Sequence, residues 1–203
     1  NETFDFFTEK VSFICGNAMS ENEDFFFSLF NIFKRIPQTK VRVLDPVKSY
    51  DVSKIPVECF TDNFNAIIPA LMQEMKTESE IKRIYIINGT SRLKEKLNEQ
   101  TLSMYEEFLR SFKENESTAL ILVDNTAGFQ RLEIETWFDD VINKKHGIWL
   151  GEGIGDQVVI ETPRLDPEIK QLEFNDMAFI VKENEVIPFK KVVIEKEEVE
   201  DEK

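Results

Sequence analysis

Residues 11–33 constrain the fold more than any other stretch of the chain. Val11-Ser12-Phe13-Ile14-Cys15 is a short, mostly apolar run of the kind that forms a strand covered on both faces. Gly16-Asn17-Ala18-Met19-Ser20-Glu21-Asn22-Glu23 follows, and from Glu23 to Ile36 apolar side chains recur at helical spacing. Phe26, Phe30 and Phe33 share one face, with Phe25, Leu29, Ile32 and Ile36 beside them. So wide an apolar arc predicts a helix packed on a sheet, ended by Pro37. Strand, glycine and helix in this order are the frame of a phosphate-binding loop, G-x-x-x-x-G-K-[ST]. Gly16 fits its first position, but Glu21 stands at the second glycine, Asn22 at the lysine and Glu23 at the magnesium-binding hydroxyl. The lysine of such a loop neutralises phosphate charge, whereas here Glu21, Glu23 and Asp24 gather negative charge at the helix start. One misplaced unit charge at contact distance costs roughly 4 kcal/mol at an effective dielectric of about 20. A purely structural reading fits the same residues. Ser20 and Glu23 have the S-x-x-E spacing of a capping box, which would satisfy the free N–H groups of the helix where phosphate would otherwise sit.

Beyond this unit, strands and helices alternate. Lys40–Leu44, Arg83–Ile87 and Thr118–Val123 read as strands, and Tyr50–Cys59 as an irregular or extended connection. Helices are expected over Asp62–Lys76, with Pro69 kinking it or delaying its start, near Ser91–Asn98, over Leu102–Lys113 and over Glu133–Ile142. The texture then changes: Gly147–Leu150 is a short strand, Gly151–Gly155 a flexible turn and Val158–Glu161 an extended segment. Met177–Lys182 and Val186–Ile194 form a hairpin about Glu183-Asn184-Glu185. The pattern predicts one α/β domain over residues 1–194, a mainly parallel sheet with helices on both faces and short strands appended at the C-terminus. Glu195–Lys203 is a charge run with little to bury and is expected to be a disordered acidic tail.

Charge and composition remove several function classes. A formal net charge of −14 argues against a nucleic-acid backbone or an anionic membrane surface as the main partner. With His146 as the only histidine, a multi-histidine site is excluded. Cys15 and Cys59 are far apart in apolar contexts, as free thiols of a reducing compartment would be, and no metal-ligand spacing is present. No apolar stretch is long enough to span a membrane. The 18 phenylalanines imply a large core or an apolar docking surface. Without an initiating methionine or a signal peptide, the chain reads as a piece of something longer.

A second position bears on the phosphate loop. Ile84-Tyr85-Ile86-Ile87 ends in Asn88, where a nucleotide-hydrolysing fold places the acid that holds magnesium. A neutral amide does not supply the charge that holds a hard cation. Asn88-Gly89 also reads as an ordinary turn, but its occurrence together with the altered loop favours paired loss of both halves of a nucleotide site. Gly151-Glu152-Gly153-Ile154-Gly155 lacks the third glycine of a dinucleotide fingerprint and opens no helix. Asp139-Asp140 reads as a solvated helix end, because neighbouring helical side chains diverge.

The segment His146-Gly147-Ile148-Trp149-Leu150-Gly151-Glu152-Gly153-Ile154-Gly155-Asp156-Gln157 resembles the G-I-W-[IL]-G-x-G-[IF]-x-[DE]-Q stretch of type VII secretion ATPases. The closing Met177–Lys182 segment and the hairpin after it are similar to the end of the last ATPase domain of that family. With Gly16 and Asn88, the resemblance covers most of the chain and points to the third, C-terminal FtsK/SpoIIIE-like domain of EssC-like motors. It implies a P-loop NTPase-like (RecA/FtsK-type) fold, in the cytoplasmic portion of a bacterial cell-membrane protein with further ATPase domains on the same chain. It also implies a ring-like hexamer in the full protein, small helical WXG-type secreted proteins as partners and no nucleic acid. ATP and magnesium belong to the parent protein. In this domain Glu21, Asn22, Glu23 and Asn88 predict no bound cofactor, and the resemblance implies a role in recognising substrate. An active NTPase with other phosphate donors and an unrelated α/β regulatory domain are the alternatives. Trp137, Phe138 and Trp149 are the residues expected to dock a substrate helix.

Overall fold

A computed structural model of the chain describes residues 5–77, 80–172 and 174–191. Eight strands form one sheet: β1 (Val11–Gly16), β2 (Thr39–Leu44), β3 (Glu58–Phe60), β4 (Lys82–Asn88), β5 (Thr118–Asn125), β6 (His146–Leu150), β7 (Met177–Lys182) and β8 (Glu185–Lys190). Their spatial order is β3-β2-β4-β5-β1-β6-β7-β8. The first six run parallel, and β7 and β8 add an antiparallel hairpin at one edge. The helices are α1 (Phe6–Glu9), α2 (Glu23–Lys34), α3 (Phe64–Lys76), α4 (Thr90–Leu93), α5 (Glu99–Ser111), α6 (Thr126–Leu132), α7 (Phe138–Val141) and α8 (Pro167–Lys170).

The strands alternate their side chains between two cores. Ile14, Val41, Val43, Ile84, Ile86, Ile121 and Val123 face α2 and its rings Phe26, Phe30 and Phe33. Phe13, Cys15, Tyr85, Ile87, Leu120 and Leu122 face the opposite way, toward α3, α5, α6 and α7. Both faces of the central strands are thus dry, which is why they read as unbroken apolar runs. Burying one such large side chain stabilises the fold by roughly 1.5–3 kcal/mol.

Most of the expected elements stand where the sequence puts them, and the exceptions have local causes. The helix expected over Glu133–Ile142 is reduced to the single turn of α7, and a separate helix, α6, lies upstream of it. Asn125 caps α6 by accepting from the Gly128 N–H at 2.8 Å, so the helix starts early and its C-cap is Glu133. Ile134 is left 85% exposed in the turn before α7. Val158–Glu161 is not a strand. The Gln157 side chain takes up its backbone groups instead, accepting from the N–H of Val159 and Ile160 and donating to the Ile160 carbonyl. Within Tyr50–Cys59 there is a single 3-10 turn, Val52–Lys54, before β3. Pro69 sits inside α3, which starts at Phe64 after Asn63 turns with φ 54°. The end of the expected hairpin beyond 191 and the tail Glu195–Lys203 lie outside the described residues. No helix among the described residues is long and apolar enough to cross a membrane.

Candidate functional site: the carboxyl rim of the sheet

After β1 the chain leaves through α2 on one face, and after β5, its neighbour, it leaves through α6 on the other. Open α/β sheets bind ligands in the crevice such a reversal creates at the carboxyl ends of the strands. Strand register lines up the residues of that rim: Leu44 with Ile87, Asn88 with Val123, Asp124 with Cys15 and Gly16 with Leu150. Asp45, Asn88, Asp124 and Gly16 therefore share one edge, with β5 standing between the strands of Gly16 and Asn88.

The loop after Gly16 does not form the expected capping box. A 3-10 turn, Met19–Asn22, runs directly into α2, Asn22 occupies the cap position and no side chain caps the helix. Ser20 and Glu23 are both exposed. The preceding turn supplies carbonyls to the helix start, so the reciprocal side-chain bonds are not needed. Gly16 itself is explained by packing, since a Cβ there would lie 2.7 Å from the Leu150 carbonyl oxygen of β6.

Asn22, at the position of the phosphate-loop lysine, is 5% exposed. Its Nδ2 donates to the Ala18 carbonyl at 2.9 Å, and its Oδ1 accepts from Lys191 Nζ at 2.7 Å. A cation thus does stand beside the loop, contrary to the expectation from the loop's own residues, and it arrives from the far end of the chain just after β8. Burial pulls the Lys191 ammonium below its ordinary pKa, and the charges of Asp176 and Glu21 oppose that shift. Lys191→Met leaves the Asn22 oxygen without this partner, and a loss of about 1 kcal/mol in urea unfolding is expected.

Asn88, 6% exposed, donates from Nδ2 to Asp45 Oδ1 at 2.9 Å. Asp45 is fully buried and also accepts from the Tyr50 N–H at 3.1 Å. Burial raises its pKa, and the bond from Asn88 and the backbone N–H groups of Tyr50, Ser49 and Lys48 hold it back. Asp124, 7% exposed, accepts from the N–H of Ser91 at 2.7 Å and of Asn125 at 2.8 Å. Sequence reasoning missed Asp45, Asp124 and Lys191 as members of this rim. Asp45-Pro46 and Asp124-Asn125 read only as strand stops, and Lys191 carries no signal at all.

The Gly147–Gln157 segment is accounted for by local packing. A Cβ on Gly147 would meet the Phe13 carbonyl oxygen at 2.9 Å, and Gly151 and Gly153 turn at φ 79° and 88°. Trp149 is fully buried and donates from Nε1 to the Glu152 carbonyl at 3.1 Å. Asn17 ties the loop to its neighbours, accepting from Thr126 Oγ1 at 2.8 Å and donating to the Glu152 carbonyl at 3.5 Å.

The expected docking residues are not at the surface. Trp137, Phe138 and Trp149 are 2%, 1% and 0% exposed and belong to the core under α6 and α7. Their aromatic character is used for packing. Among the described residues no cluster of three or more His, Cys, Asp or Glu is placed to hold a metal.

This architecture matches solved structures over 95% of the chain. The cytoplasmic domain of EssC superposes with a TM-score of 0.66 at 11% identity. ATPases 2 and 3 of EssC from Geobacillus thermodenitrificans give 0.65 at 11%. ATPases 2 and 3 of EccC from Thermomonospora curvata, solved in complex with a signal sequence peptide, give 0.64 at 9%. The chain has the EssC/EccC ATPase-domain fold. It spans 40%, 38% and 38% of those three chains, respectively, so the EssC/EccC fold is matched by one part of each. No protein-family model and no curated protein matches the sequence.

Proposed function

We propose that this chain is an EssC-like domain of a type VII secretion motor whose task is recognition of secreted protein rather than nucleotide turnover. The observation that carries the proposal is the double closure of the rim: Asn22 is tied to Lys191, and Asn88 to Asp45. These residues do not fit magnesium nucleotide. The triphosphate would meet the exposed carboxylates of Glu21 and Glu23 in place of a glycine and a hydroxyl. The metal would meet a neutral amide, whose NH2 is turned toward Asp45, in place of a charged carboxylate. Support for recognition comes from the resemblance of residues 146–157 and from the shared fold, one neighbour of which was solved with a signal sequence peptide. On this reading the partners are WXG-type secreted proteins and neighbouring ATPase domains of the same chain. The full protein is a membrane-bound hexamer, with this domain on the cytoplasmic side.

Calorimetric titration with ATP and magnesium tests the first half, and no saturable heat is expected. Micromolar binding with turnover would overturn it. Lys191 is the one feature favouring residual anion binding; in that case ATP binds and Lys191→Met abolishes it. Titration with purified WXG-type proteins tests the second half, with saturable binding expected and none overturning the assignment of partner.

A further inference from the structure

At the amino ends of the strands, opposite the carboxyl rim, β6 opens on His146, the only histidine of the chain and 6% exposed. Two groups compete for one atom of its ring. Asn143 Nδ2 stands 2.7 Å from Nδ1, and Glu9 Oε2 stands 3.0 Å from the same nitrogen. The amide is fixed in that orientation, because its Oδ1 accepts from the Lys145 N–H at 3.1 Å. A nitrogen that accepts from Asn143 offers a lone pair, whereas a nitrogen that serves Glu9 must carry a hydrogen. One protonation state therefore cannot make both contacts. An uncharged ring with its hydrogen on Nε2 satisfies Asn143 and turns a lone pair to the carboxylate. A charged ring donates to Glu9, and the Asn143 NH2 must turn aside.

Glu9 is the last residue of α1, and the chain reaches β1 through Lys10, held at φ 59° and ψ −46°. That conformation lies in the region of the rare, strained γ-turn, so α1 keeps its place through contacts that outweigh the strain. Phe6 packs edge-on against Phe33 at 5.3 Å, Lys10 Nζ donates to the Lys113 carbonyl at 3.1 Å, and Glu9 meets His146. The last of these depends on a proton that histidine gains or loses between about pH 5 and 8. The charges around the ring are few. Glu9 faces it from α1, Lys182 is its register partner on β7, and Glu185 of β8 pairs with Lys182 in turn. Lys145 precedes it in the chain, and β1 brings only the neutral Ser12 to this level, one step before its Phe13–Gly147 pair. We infer that His146 is a proton-operated latch on α1. Charging the ring fastens the helix to β6; discharging it hands the ring to Asn143 and loosens the helix. The latch is independent of what the carboxyl rim binds.

With one histidine in the chain, every imidazole nitrogen signal belongs to His146. Nitrogen NMR spectra of the ring from about pH 5 to 8 are read together with hydrogen exchange at the N–H groups of Glu9 and Lys10, which bond to the carbonyls of Asp5 and Phe6 in α1. On the alkaline side the uncharged ring is expected to carry its hydrogen on Nε2. As the ring charges, exchange at the two N–H groups, corrected for the intrinsic effect of pH, is expected to slow at least about threefold. Glu9→Gln removes that slowing and leaves exchange on the alkaline side unchanged. Asn143→Ala, which removes the competing donor, lets the ring charge at higher pH than in wild type. A hydrogen on Nδ1 of the uncharged ring would overturn the latch, because Asn143 would then have no lone pair to meet. Faster exchange in Glu9→Gln by the same factor across the whole range would overturn it too, since a contact indifferent to the ring's charge behaves that way. So would an Asn143→Ala ring that charges at the same or lower pH.

Discussion

Asn88→Asp, the substitution that places an acid where nucleotide-hydrolysing folds hold magnesium, is expected to destabilise the protein. The amide donates to Asp45 Oδ1 at 2.9 Å, and Asp45 is fully buried. A second carboxylate in that place faces the first at hydrogen-bond distance, and two such groups do not both stay ionised. One must keep a proton at pH 7, which shifts a carboxyl by roughly 3 pKa units and costs about 4 kcal/mol. The sign follows from linkage. The introduced carboxyl has a folded-state pKa raised above its unfolded value, so the variant matches wild type in acid and falls behind as pH rises through the raised value. The raised pKa of Asp45 acts with the same sign in wild type. Urea unfolding of both proteins across acidic and neutral pH measures the gap. Combining Asn88→Asp with Asp45→Asn exchanges donor and acceptor and is expected to recover most of the loss, a coupling a double-mutant cycle resolves. Equal stability of Asn88→Asp and wild type at neutral pH would show that the amide is not held by Asp45.

The sheet and its two helical layers were legible in the sequence because the driving term is burial. Ile84–Ile87 and Ala119–Val123 are covered on both faces, and such strands must be continuously apolar. The Phe-rich face of α2 is wide for the same reason. Where periodicity misled, a side-chain cap decided the matter. Ile134, Trp137, Phe138 and Val141 have helical spacing, yet Asn125 starts the helix upstream and Ile134 is left in solvent. Aromatic residues misled in another way, since the interface preference of Trp137, Phe138 and Trp149 is also a core preference, and burial is not written in composition. The rim was half legible. Gly16, Asn22 and Asn88 were located by motif, but their partners were not, because those contacts are tertiary. Lys191 lies 169 positions from Asn22, and Asp45 lies 43 from Asn88. The meaning of the altered loop changes accordingly. Asn22 and Asn88, aligned with the lysine of a phosphate loop and its metal-holding acid, are each held by a tertiary hydrogen bond, so a single substitution at either meets a packed environment.

Gly128→Ala is the other substitution expected to cost heavily, although it places alanine in a helix. Intrinsic propensity favours alanine over glycine by about 1 kcal/mol in a helix interior. The site opposes it, because a Cβ on Gly128 would overlap the carboxylate of Asp124. That carboxylate has no easy retreat. It is 7% exposed and is held by the N–H of Ser91 at 2.7 Å and of Asn125 at 2.8 Å, at the starts of α4 and α6. Moving it strands two backbone donors, each worth about 1–3 kcal/mol when left unsatisfied, and forced overpacking costs typically about 1–3 kcal/mol more. The propensity gain is outweighed, and a net loss of at least about 2 kcal/mol in urea unfolding is expected. The decisive comparison is with Asp124→Ala. That single variant loses stability through the two stranded N–H groups. In its background, however, Gly128→Ala meets no carboxylate and is expected to become neutral or stabilising by up to about 1 kcal/mol. A reversal of sign between the two backgrounds locates the cost in the overlap and explains why glycine stands in the first turn of α6. The same destabilisation in both backgrounds would assign the effect to the helix itself and break the link between Gly128 and Asp124.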